Sequence, residues 1–212
     1  MELLQVVEWA TVVTTFLMFA SGIPVCVSMC RTKNTKNVPF ILFVVSVILS
    51  VIGLSYGLLT HNPLLTLINA VGTTLWAVYT FTYLYISKSK RKPVLQLVLG
   101  VGLLLAHFVY LKRFTNSHDE LINQLGFFMF VWGNIGLLTP SLDIIDVIKE
   151  KSSDEMSLSL LFGGTLCSVT WLVYGYLIKD VYIYAPNIPG LVVSFAKVVA
   201  LFVYRGGSKK EV

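Results

Sequence analysis

The chain has 212 residues, 56% of them hydrophobic and only 13% charged, with a formal net charge of +5 and a mean hydropathy of +0.78. Soluble domains carry about 25% charged residues, so this composition excludes an ordinary soluble domain and points to the membrane. The positive balance does not indicate a nucleic-acid partner, because the cations are sorted along the chain by membrane side.

Read in order, seven apolar stretches are long enough to cross a hydrocarbon core of about 30 Å: residues 6–29, 38–60, 63–87, 93–111, 121–146, 156–178 and 181–204. In lipid each must satisfy its own backbone hydrogen bonds, so all seven are expected to be helices and the protein an all-α membrane protein. The first lacks a basic leading segment and carries Glu2 and Glu8, unlike a cleavable secretion signal. The links are short, none beyond about ten residues, which leaves no room for a soluble domain.

The links after spans 1, 3 and 5 and the C-terminal tail hold Arg31, Lys33, Lys36, Lys88, Lys90, Arg91, Lys92, Lys149, Lys151, Arg205, Lys209 and Lys210. The links after spans 2, 4 and 6 hold Lys112, Arg113 and Lys179. Twelve cations against three place the N-terminus outside and the C-terminus in the cytoplasm. Cys26, Cys30 and Cys167 all fall within spans and read as small packing residues, with no disulfide and no metal set.

Residues 53–72 and 171–190 repeat one pattern at a constant offset of 118 residues: Leu54/Leu172, Tyr56/Tyr174, Gly57/Gly175, Leu59/Leu177, Asn69/Asn187 and Gly72/Gly190 are identical. Upstream, Pro24 answers Pro140 at an offset of 116, which implies a two-residue gap. Each half is therefore three helices, residues 1–92 and 121–204, joined by a linker helix and loop, 93–120, and followed by a tail, 205–212. A triplet of helices starts on one side and ends on the other, so an odd helix is needed to make two triplets parallel. Parallel repeats related by an axis along the membrane normal suit alternating access by rocking of one half against the other.

Asn69 lies six residues into span 3 and Asn187 six into span 7, while Gly53 and Trp171 each precede the outer ends of spans 2 and 6 by seven. At 1.5 Å per residue all four sit roughly 9–11 Å below the outer boundary. Two amides can each donate to and accept from the hydroxyls of a ligand, and an indole face can cover an apolar face of the same molecule. Gly53 would leave volume for that ligand. The bland alternatives are interhelical glue for the asparagines and an interfacial anchor for Trp171.

The 3+1+3 plan, the L-x-Y-G and P-N-x-x-G motifs, the Lys179–Asp180 link and the run from Thr139 to Ser152 resemble the SWEET family of sugar uniporters. The resemblance covers nearly the whole chain and implies a bidirectional carrier of a neutral sugar, with a hexose such as glucose favoured and a disaccharide as the alternative. It implies that Asn69, Asn187 and Trp171 line the substrate site and that the residue at Gly53 influences which sugar fits. It also implies that Tyr56 and Asp180 close an extracellular gate; from the sequence alone Asp180 is a solvated link residue. Pro24, Pro39 and Pro140 match three of the family's four hinge prolines. Ser157 stands where the fourth is expected, and Leu42 competes with Pro39 for the second. Pro24 and Pro140 should kink their helices; Pro39, at a helix start, is ordinary.

Coupling to protons or sodium would require an ionisable residue in the transport core. Asp143 and Asp146 lie at the cytoplasmic end of span 5, His107 in the linker helix, and Lys197 near enough to the end of span 7 to snorkel. An uncoupled carrier without cofactor or metal is expected, and no nucleophile–base pair suggests an enzyme. Its partners are the sugar and the bilayer of the plasma membrane or the Golgi, with homo-oligomers an option the family allows. Two rivals stay open: a seven-helix retinal-binding receptor using Lys197, and a membrane adaptor that recruits partners through its helices.

Overall fold

In a computed structural model the described residues are 2–35, 38–151 and 158–204, and among them every regular element is a helix. The C-terminal tail with Arg205, Lys209 and Lys210, the link residue Lys36 and the hinge position Ser157 lie outside the described residues. Among the described residues the seven spans appear as nine helices, because the first and last are each divided: α1 Leu3–Ala20, α2 Gly22–Thr32, α3 Phe40–Leu59, α4 Pro63–Ile86, α5 Arg91–Phe114, α6 His118–Glu150, α7 Leu158–Leu177, α8 Val181–Tyr184 and α9 Asn187–Val203. By length and composition, residues 3–32, 40–59, 63–86, 91–114 and 181–203 can each cross a membrane, and Leu161–Leu177 is a shorter apolar helix. Large side chains such as Phe81, Phe162, Phe195 and Phe202 stand exposed, as a lipid-facing surface requires.

The break in the first span has a local cause. Proline lacks an N–H and its ring clashes with the carbonyl four residues earlier, here Ala20. The helix accordingly parts at Ser21, three residues before Pro24, where the sequence predicted a kink at the proline itself. The Phe19 carbonyl at this break accepts the Tyr79 hydroxyl of α4 at 3.1 Å. Tyr79 reaches it past Gly22, where a Cβ would lie 2.5 Å from the tyrosine ring. Tyr79→Phe keeps the ring but strips a part-buried carbonyl of its donor, at an expected cost of about 0.5–1.5 kcal/mol. It should lower the thermal midpoint of the purified protein, and an unchanged midpoint would show that this bond does not hold the break.

The last span parts at Ala185–Pro186 for the same reason, whereas α6 continues as helix through Pro140. Pro39 is the N-cap residue of α3, with φ −74° and ψ 104°. At 33 residues α6 outruns the predicted 121–146 at both ends. Ser117 Oγ accepts from Glu120 N at 3.2 Å and Glu120 Oε2 from Asn116 N at 2.9 Å, a reciprocal cap that starts α6 early.

Two compact units result, residues 15–132 and residues 1–14 with 133–212, so that the divisions fall inside α1 and α6. In the first unit α3 packs on α4 and α5, and α2 on α4. Its core includes an aromatic cluster: the Phe40 and Tyr83 rings lie tilted with centroids 4.8 Å apart, and Trp76 meets Tyr79 edge-on at 5.5 Å. In the second unit α7 packs on α8 and α9, and Thr14 of α1 shares a 3.0 Å hydrogen bond with Thr170 of α7.

Candidate substrate site

Each unit contains one copy of the same reversal between its repeated helices. In the first, Thr60 to Asn62 join α3 to α4; His61 adopts φ 53°, and Asn62 N donates to Gly57 O at 2.9 Å. In the second, Ile178 to Asp180 join α7 to α8; Lys179 adopts φ 59°, and Asp180 N donates to Gly175 O at 2.9 Å. Asn62 and Asp180 are then N-caps: Asn62 Oδ1 accepts from Leu65 N at 2.9 Å and Asp180 Oδ1 from Tyr182 N at 3.0 Å. Asp180 is thus a fixed, half-buried capping residue, more constrained than the solvated link residue read from the sequence.

Gly57 and Gly175 owe their identity to this turn. A Cβ on Gly57 would lie 2.8 Å from Thr66 N, and one on Gly175 2.6 Å from Tyr184 N, again 118 residues on. Gly72 and Gly190 repeat the pattern: the first abuts Phe19 and Ser50, the second Leu137 and Ser168. The offset is therefore still 118 at Phe19/Leu137 and 116 at Pro24/Pro140. The two extra residues fall between Phe19 and Pro24, in the stretch where α1 gives way to α2 while α6 runs on.

The two asparagines are placed alike. Asn69 Nδ2 donates to Leu65 O at 2.9 Å, and Asn187 Nδ2 to Ile183 O at 2.8 Å, both one turn back. Both side chains are half-buried. That bond fixes the rotamer and uses one of the amide's two N–H groups, leaving one donor and the Oδ1 acceptor for a ligand hydroxyl. At Asn187 it does a second service, since Ile183 stands just before the break between α8 and α9.

Gly53 corrects an expectation. A Cβ there would meet the Asn69 amide at 2.6–2.9 Å, so the space predicted for a ligand is filled by Asn69 itself. Any larger residue at 53 would displace that amide. Trp171, the residue 118 positions on, is half-buried and meets Tyr174 edge-on with centroids 6.0 Å apart. Tyr56 and Tyr174 are both buried, 2% and 3% exposed.

Two features escaped the sequence reading. Thr73 lies one turn beyond Asn69 on the same face of α4, and its buried Oγ1 has no hydrogen-bond partner. Nothing marks it in the sequence, since Leu191 occupies the matching place in the second half. Asn62 and Asp180 also stand 118 residues apart, matched in residue class and not in identity. His107 proves to be engaged: its Nδ1 faces Leu103 O at 2.6 Å and its Nε2 accepts from Trp132 Nε1 at 3.4 Å.

Comparison with known proteins bears on what this arrangement serves. A family model described as a sugar efflux transporter for intercellular exchange matches the chain twice, over residues 5–91 and 123–209. The chain is 32% identical to sugar transporter SWEET1 of Rattus norvegicus, with 92% of this chain and 88% of that protein covered. It is 33% identical to the Homo sapiens protein of the same name (89% and 85%) and 30% identical to that of Danio rerio (96% and 92%). The fold matches a solved eukaryotic SWEET transporter with a TM-score of 0.82, at 20% identity and with 95% of this chain and 96% of that chain covered.

Proposed function

The chain belongs to the SWEET family of sugar transporters, and from that membership we propose that it is a facilitative, bidirectional uniporter for a hexose, glucose favoured. Family membership displaces the receptor and adaptor readings. The observation that carries the proposal is the pair Asn69 and Asn187, the same residue in the same rotamer-fixing bond 118 positions apart. Each half-site then offers one donor and one acceptor, the combination a sugar hydroxyl matches. Trp171 supplies an apolar face for the ring, and Gly53, lacking a Cβ, leaves room for the Asn69 amide.

In this reading alternating access proceeds by movement of the two repeats. Tyr56 and Asp180 serve the extracellular gate, and Pro24, Pro39 and Pro140 serve as hinges on the cytoplasmic side. The N-terminus faces the outside or lumen of the plasma membrane or Golgi and the C-terminus the cytoplasm, on the strength of the cation distribution. Uncoupled transport is supported by two facts: α4 carries no Asp, Glu, His, Lys or Arg, and the ring nitrogens of His107 are already in use.

Purified protein in proteoliposomes should take up radiolabelled glucose saturably, at the same rate with and without a pH gradient. Unlabelled glucose loaded inside should accelerate entry of label, as a carrier with two-way access requires. Uptake that stops when the gradient is collapsed would overturn the uncoupled mechanism; transport of sucrose and not glucose would move the substrate to a disaccharide.

A further inference from the structure

In the first unit, at the end opposite the Thr60–Asn62 turn, a cavity of about 420 Å³ opens where α2 ends, α3 begins, α4 ends and α5 begins. Its floor is the buried Phe40–Tyr83 pair. Around the mouth stand Lys33, Lys88 and Lys92, all exposed, with Ser89 and Gln96 as further polar groups. No Asp or Glu occurs anywhere from Trp9 to His118, so the segment that builds the cavity contains nothing to neutralise these cations. The first turn of α5 adds its own positive end to the same wall.

We propose that this cavity binds the phosphorylated polyol headgroup of a membrane lipid. Three lysines lining one concavity without an acid suit clustered phosphate oxygens, since each lysine brings a full charge and three donors. The volume falls in the range of about 300–1,000 Å³ typical of small-molecule pockets, so it admits a sugar-sized ring with its phosphates. A soluble phosphate ester has the same chemistry. The lipid is favoured because α5, which walls the cavity, continues away from it with Val94, Leu95, Val98 and Leu99 exposed, an apolar track for acyl chains. Basic pockets among helix ends on the cytoplasmic side are where such headgroups bind, and this is the end that the cation distribution assigns to the cytoplasm. The site is separate from the asparagines and does not rest on the transport reading.

The test compares two variants of equal charge loss on the same face. Lys88→Gln with Lys92→Gln empties the cavity wall of two cations; Lys90→Gln with Arg91→Gln removes two that do not line it. The full-length protein in detergent is titrated with dioctanoyl phosphatidylinositol bisphosphate, dioctanoyl phosphatidylserine and free inositol trisphosphate, and binding is read by native mass spectrometry. The expected result is phosphoinositide binding at least about tenfold weaker in the Lys88/Lys92 variant and changed less than about threefold in the other. Equal weakening in both would reduce the effect to diffuse surface charge and overturn the site, as would failure of the wild type to prefer phosphoinositide over phosphatidylserine. Free inositol trisphosphate binding as tightly as the lipid would overturn the lipid and leave a soluble phosphate ester as ligand. All four positions are exposed, and thermal midpoints of both variants verify that they fold.

Discussion

Asn69→Ala and Asn187→Ala should each reduce saturable sugar uptake by about tenfold to a hundredfold, down to the leak of empty vesicles in the limit. Each substitution removes a donor and an acceptor from a half-buried site and leaves ligand hydroxyls unpaired, a loss of about 1–3 kcal/mol per group. The two variants should differ in stability. Leu65 lies within an uninterrupted helix, whereas Ile183 stands at the break before α9 and takes a bond from the Asn187 amide. Asn187→Ala should therefore have the lower thermal midpoint of the two, while both remain folded. A variant that melts like the wild type and transports like it would remove that asparagine from the site.

Gly175→Ala and Gly57→Ala should be among the most destabilising single changes in the protein. The added Cβ would lie 2.6 Å from Tyr184 N in the first case and 2.8 Å from Thr66 N in the second, and backbone cannot swing aside as a side chain can. Overpacking of this kind costs about 1–3 kcal/mol, and the upper end is expected here because whole helices must separate. Gly102 and Gly164 provide the contrast, with nothing within 4 Å of an added methyl. Alanine there should be neutral or stabilising by up to about 1 kcal/mol through helix propensity alone. Thermal melts of the four variants in one detergent separate the two pairs; equal midpoints across the four would mean that the close approach at the turns is not what holds them.

Much of this was legible in the sequence because the bilayer is a demanding solvent. Apolar length marked the spans, and identities at a fixed offset marked the repeat. The identities Gly57/Gly175 and Gly72/Gly190 are among them: each sits where a neighbouring element approaches within van der Waals contact. What periodicity could not reveal is how a helix ends inside an apolar run. Pro24 predicted a kink, yet the break lies three residues earlier, because proline acts on the carbonyl a turn before it and the Tyr79 hydroxyl is there to take one up. Pro140 carries the same letter in a helix that continues.

The candidate site was legible as a symmetric pair of residues and less so as a geometry. Asn69 and Asn187 stood out through symmetry, but that Gly53 is filled by Asn69 depends on how closely α3 and α4 pack, which no spacing rule encodes. Thr73 was invisible for the opposite reason. It has no counterpart in the second half, and a threonine in a membrane helix ordinarily bonds its own backbone one turn back, as Thr74 and Thr80 do. The Thr73 Oγ1, one turn from Asn69, is buried without a hydrogen-bond partner.

The most direct test of the central claim is glucose uptake into proteoliposomes by the wild type, Asn69→Ala and Asn187→Ala, each with and without a pH gradient. Saturable wild-type uptake that ignores the gradient and is lost in both variants is the predicted result. Uptake that persists in both variants would contradict it and place the sugar elsewhere.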